Sequence, residues 1–173
     1  MLTPQLRRLA LTAHIVASVG WLGAVAAFLA LAVVGLVSPD VLLVRGAYAV
    51  MGALAWYAIL PLCLAALATG VIQSLGTVWG LFRHYWVLVK LVINLLSTLI
   101  LLVHMRPIDA IAGIAAAGPI GGGAHLQLRV QLAVAAGLAV LALLIATTLS
   151  VYKPQGLTPS GWRTRHARRA GSH

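Results

Sequence analysis

Acidic residues are almost missing from this chain. Its 173 residues include two, Asp40 and Asp109, and no glutamate. Cysteine is reduced to Cys63, and neither a CxxC nor an HExxH pattern occurs. A lone cysteine forbids an intrachain disulfide and any cysteine-based metal site; a small buried apolar role suits it better. Structural zinc takes four protein ligands and catalytic zinc three, and the apolar stretches carry no carboxylate to help supply them. Copper(I) favours thiolates and thioethers, but Met1, Met51, Met105 and Cys63 are scattered. Charged residues make up only 8% of the chain, where soluble domains carry about 25%.

Hydrophobic residues fill the space, at 62%. Four apolar runs lie near 9–37, 47–72, 86–105 and 126–152. A helix crosses a bilayer with about 20 residues. The pattern predicts an all-α polytopic membrane protein, a four-helix transmembrane bundle over 1–153 with a basic cytoplasmic tail over 154–173. The first run follows Arg7 and Arg8 as a signal peptide would, but it far exceeds the about 7–15 residues of a signal core, so it reads as a span.

The net charge of +10 is explained by topology. On an up-and-down path Arg7, Arg8, Arg83, Lys153, Arg163, Arg165, Arg168 and Arg169 fall on one side, and Arg45, Arg106 and Arg129 on the other. Cytoplasmic flanks collect Lys and Arg, which predicts a cell-membrane protein with both termini inside. The tail then meets anionic lipid headgroups, and nothing beyond charge points to nucleic acid.

Ser38-Pro39-Asp40 reads as a stop after the first helix. Pro61 should kink the second helix or free a carbonyl in the preceding turn. The connection from 75 to 85 carries Trp79, Phe82, Arg83, His84 and Tyr85, a composition suited to the membrane interface. The segment 106–124, with Pro107, Pro119 and Gly121-Gly122-Gly123, is expected to be an outer loop, either a flap over the bundle or a simple connection.

The third run carries a polar stripe. Lys90, Asn94, Ser97 and His104 share one face of a helix with 3.6 residues per turn. Polar and ionisable groups in a span usually face a bundle interior, a cavity or a cofactor. Lys90 reads either as a snorkelling anchor or as the counter-ion of an anionic ligand, and the deeper Asn94 and Ser97 favour the second. Arg129 admits the same two readings at the outer side.

His166 and His173 belong to the tail. The other four histidines pair by expected depth, His14 with His84 inside and His104 with His125 outside. Haem iron takes axial imidazoles, and bundle cores build such sites from facing helices. The four are candidate metal ligands for one or two b-type haems, with Lys90, Asn94 and Arg129 as further cofactor contacts. If one haem is bound, His14 is the better anchor, partnered by His84 or by a histidine of another copy of the chain.

His14, six intervening residues and then Trp21-Leu22-Gly23 in a first membrane helix resemble the CopD-like integral membrane proteins and the membrane protoporphyrinogen oxidases of the HemJ type. Trp86, Lys90 and His104 fill the later positions of that pattern, so the resemblance covers the first and third helices. It implies a small helical membrane protein associated with haem b, with His14 as a haem ligand and Lys90 at the ligand site. The expected function is a haem-binding redox role, either electron transfer or oxidation of a tetrapyrrole or quinone-type substrate. The rival is a haem-free transporter or accessory protein for a metal or small solute.

Overall fold

The computed structural model describes residues 3–76, 85–118, 120 and 125–152. Among these residues every regular element is a helix. The first helix, α1 (Pro4–Val37), begins with Thr3, whose hydroxyl accepts the Leu6 N–H, and with Pro4, whose missing N–H is unneeded at a first helical position. It ends where Ser38-Pro39 was expected to stop it. Asp40 then caps α2 (Val41–Leu54), its carboxylate accepting the N–H groups of Leu42 and Leu43. A π-helical turn, Ala55–Ile59, joins α2 to α3 (Leu60–Gly76). That turn sits just before Pro61, whose absent N–H interrupts the regular ladder there. The remaining helices are α4 (Tyr85–Ala117) and α5 (Leu126–Tyr152).

The expected outer loop is corrected at its start. Residues 106–117 continue α4, with Pro107 inside the helix. A membrane helix tolerates an internal proline when neighbouring helices pack around the break, and the alanine-rich stretch beyond Asp109 has strong helical preference. The second span is also longer than expected, running from Val41 to Leu75.

Four helical stretches are long and apolar enough to cross a membrane: Pro4–Val37, Val41–Leu75, Tyr85–Ala117 and Leu126–Tyr152. They make an all-α, four-helix, multi-pass membrane bundle. α1 packs on α2, α3 and α5, and α4 packs on the same three, so α1 and α4 stand diagonally opposite. One end of the bundle holds the start of α1 and the end of α5, and is called the terminal end below. The distal end holds the α1–α2 turn and the start of α5.

The core between the two ends is largely apolar: Trp21, Val25, Phe28, Met51, Ile59, Ile108 and Leu132 are buried, with Thr98 a buried polar residue in the middle and Arg129 a buried charge at the distal end. Polar contacts between helices lie mostly in two layers. The distal layer joins Gly35, Tyr48 and Arg129, and the terminal layer joins His14 with Thr69 and Lys90 with Ser150. On each of three spans the two layers stand 21 residues apart: His14 to Gly35, Tyr48 to Thr69, and Arg129 to Ser150. At 1.5 Å per residue this is about 31 Å, close to the roughly 30 Å of bilayer hydrocarbon.

The distal layer is built to close helix ends. Gly35 O would bond the N–H of residue 39, but Pro39 has none. Arg129 of α5 donates to that carbonyl instead, and through Nε to the Tyr48 hydroxyl at 3.0 Å. The end of α4 repeats the arrangement. Pro119 carries no N–H for Ala115, and Arg45 donates to the carbonyls of Ala115 and Ala116 at 2.9 and 3.3 Å. Cations are favourable at helix C-termini.

Candidate functional site

At the terminal end each span contributes a polar side chain: His14 from α1, Thr69 from α3, Lys90 from α4 and Ser150 from α5. All are half-buried. The His14 Nδ1 lies 3.1 Å from Ala66 O and 3.1 Å from Thr69 Oγ1. A carbonyl only accepts, and the Thr69 hydroxyl already donates to Ala65 O at 2.6 Å. The proton therefore belongs on Nδ1, where Ala66 O and Thr69 Oγ1 share it. This assignment leaves the Nε2 lone pair as the ring's remaining donor atom. Gly70 makes room for it: a Cβ there would meet His14 Cε1 at 3.1 Å.

On the diagonally opposite helix, α4, stands Lys90. Its ammonium donates to Ser150 Oγ at 3.0 Å and sits over the Trp86 ring at 4.6 Å. Asn94 and Ser97 continue the same face of α4, both half-buried. One turn past Asn94, Thr98 is buried; its hydroxyl donates to Asn94 O at 2.7 Å and accepts from Cys63 at 3.1 Å.

The structure brings the remaining candidates to different places. His84 lies outside the described residues, so the inner pair has one described member. The outer pair is not brought together. Lys90 on α4 meets Ser150 on α5; 14 residues further along α4, His104 stands level with Ala136, and His125 is 11 residues beyond that on α5. The rise puts about 16 Å of depth between His104 and His125, where two axial imidazoles must meet at one iron. His104 is half-buried and its Nδ1 donates to Ile100 O at 2.8 Å in its own helix. His125 is exposed in a left-handed conformation, φ 64°, at the entry to α5.

Arg129 does not snorkel. It is 7% exposed and serves the Gly35 and Tyr48 contacts, with its guanidinium 5.7 Å from the Tyr48 ring centroid. Its closing role went unread in the sequence. The signal was a pair of spacings, Gly35 to Pro39 and Ala115 to Pro119, each marking a helix-end carbonyl in need of an outside donor.

Among the described residues no three His, Cys, Asp or Glu side chains converge. A metal held by protein side chains alone thus has no ready ligand set among them, whereas a haem supplies its own equatorial nitrogens and needs the protein for axial ligands. His14 Nε2 fits one axial position and Lys90 fits a carboxylate of such a group. At that level the other described partners are hydroxyls. No family model matches the chain, and no curated protein or solved structure matches it.

Proposed function

We propose that this membrane protein binds one b-type haem in the terminal half of the bundle and works in redox chemistry. The observation that carries the reading is the His14 imidazole. Its Nδ1–H is committed to Ala66 O and Thr69 Oγ1, as the second nitrogen of a metal-bound histidine usually is, and this leaves Nε2 as the ligand atom. Lys90, on the diagonally opposite helix, is the counter-charge for a propionate. The resemblance to the CopD-like and HemJ-type proteins at His14, Trp21-Leu22-Gly23, Trp86 and Lys90 supports the same assignment. The second axial ligand is His84 or a histidine from another copy. Haem would supply the electron-carrying chemistry, while the chain sets its ligation and polarity. A tetrapyrrole or quinone is the substrate class for an enzymatic version. The excess of basic residues on one side of the up-and-down path read from the sequence supports a plasma-membrane protein with cytoplasmic termini.

An optical spectrum of the detergent-purified protein, oxidised and then reduced, tests the reading. A Soret band with sharp visible bands on reduction is expected. Protein from haem-replete cells without Soret absorbance would overturn it. The rival reading, a haem-free transporter or accessory protein for a metal or small solute, draws on the same four polar side chains. The buried apolar residues between the two polar layers favour it less, and solute flux into liposomes by colourless protein would support it.

A further inference from the structure

Asn94 and Ser97 lie half-buried in the third span, and neither side chain makes a hydrogen bond within the described residues. Ser18 on α1 is in the same condition. On the face that carries Asn94, Lys90 one turn before reaches Ser150 of α5, and Thr98 one turn after meets Cys63 of α3. Asn94 therefore lies on the face of α4 that meets α3 and α5, and it is only half-buried there. Measured along the helix from the level of Lys90, Asn94 is about 6 Å and Ser97 about 10 Å toward the bilayer centre. Ser18, four residues on from His14, stands at the level of Asn94. No bulk water reaches hydrocarbon to satisfy such groups, and polar residues at this depth usually mark a substrate path.

The chemistry of the three groups limits the ligand. An amide and two hydroxyls carry no charge, and together they donate and accept. The occupant is neutral and has carbonyl or hydroxyl groups on one edge. Its route is from the lipid. The most apolar window of α4 is 6% buried, against 28%, 33% and 22% in the other spans. Val92, Leu95, Leu96 and Leu99 are exposed beside the polar face, which offers apolar surface to a tail.

We propose that this stretch of α4 binds the head group of a prenylated quinone. The Asn94 Nδ2–H and the Ser97 hydroxyl donate to a quinone carbonyl, and Asn94 Oδ1 accepts from the hydroxyl of the quinol. The site deepens the redox reading by naming the class of partner, but binding itself does not require haem.

The test is a titration of decyl-ubiquinone into the full chain in phosphatidylcholine nanodiscs, read by quenching of tryptophan fluorescence; Trp21 and Trp86 bracket the site. Saturable quenching is expected for the parent. Asn94→Leu and Ser97→Ala should each weaken it by about five- to tenfold, the value of one hydrogen bond. Haem content is measured in the same samples. Haem retained by Ser97→Ala together with weakened quinone binding supports the site, and haem-free protein that still binds saturably sinks the haem assignment alone. Linear quenching by the parent, as simple partitioning gives, overturns the proposal, as do equal affinities in parent and variants. Ser97→Ala removes a single oxygen, so it decides the matter if Asn94→Leu fails to insert.

Discussion

Arg129 on the last helix closes the first, by donating to the Gly35 carbonyl that Pro39 has no N–H to reach. The same side chain bonds the Tyr48 hydroxyl, so one residue ties three helices together at the distal end. Replacing Arg129 with Met should leave both acceptors buried without a donor, at a cost of about 1–3 kcal/mol each. The lost charge offsets part of this, since burying a guanidinium is itself costly. A net destabilisation of about 2 kcal/mol is expected. Unfolding of the variant in mixed micelles measures it; a parent-like midpoint would show that the contact contributes nothing.

Gly35 is fixed by the same packing. A Cβ there would stand 2.5 Å from Tyr48 Cζ, and Tyr48 is fully buried. Gly35→Ala should cost about 1–3 kcal/mol, as overpacking of a tight core does. Pairing it with Tyr48→Leu should recover part of that loss, because the clashing ring is gone. Failure of the double variant to recover would place the strain elsewhere.

Much of this architecture could be read from residues alone. The four spans, the stop at Ser38-Pro39-Asp40 and the break near Pro61 follow from hydropathy and from proline's missing N–H. The spacing of His14, Ser18 and Trp21 puts them on one helix face, and that face turns inward, with Trp21 buried and His14 half-buried. Less legible was the length of α4. Arg106, Pro107 and Asp109 resemble a helix end when read locally, but Trp56 of the second span donates to Asp109 at 2.8 Å and packing carries the helix on to Ala117. The depth mismatch of His104 and His125 was hidden for the same reason, since the register of a histidine depends on where its helix ends.

Thr69 offers a test of His14 that leaves the imidazole in place. Thr69→Val keeps the shape and removes one acceptor of the Nδ1–H, freeing the ring to turn. Loss of such an outer partner typically weakens metal binding by about 10- to 100-fold. Haem titration into apo-protein should show weaker binding for Thr69→Val and none at this site for His14→Ala. Parent-like affinity in both would remove His14 from the site.

Orientation in the bilayer is predicted from the sequence, where eight basic residues fall on one side of the up-and-down path and three on the other. A cysteine placed at Gly122 should react with an impermeant thiol reagent added to intact cells, and one placed at Gly171 should react only after lysis. Cys63 is fully buried and adds little background. The opposite pattern would turn the molecule over and move the haem proposal to the other face of the membrane.

Lys90 separates anchoring from ligand binding most directly. A snorkelling lysine extends along the helix toward headgroups, but this one turns across to Ser150 and sits over Trp86. Anchoring needs only a long stem with a polar head, so Lys90→Arg should then match the parent and Lys90→Gln should change little. A counter-charge has different demands. Lys90→Gln keeps a hydrogen-bonding head toward Ser150 and removes the positive charge at the level of His14. The bundle should still form, since the surrounding helix contacts are untouched, while the proposed haem is retained less well and its midpoint potential falls. The sign follows from Coulomb's law: a nearby cation favours the reduced, less positive centre, and its removal favours the oxidised one. Lys90→Arg preserves the charge in a wider, planar head, so its potential should stay near the parent's even if crowding lowers occupancy. Redox titration of both variants, with expression level as the folding control, gives the answer. Equal potentials and equal haem retention in parent, Gln and Arg proteins would make Lys90 a lipid anchor and leave His14 without its proposed counter-charge.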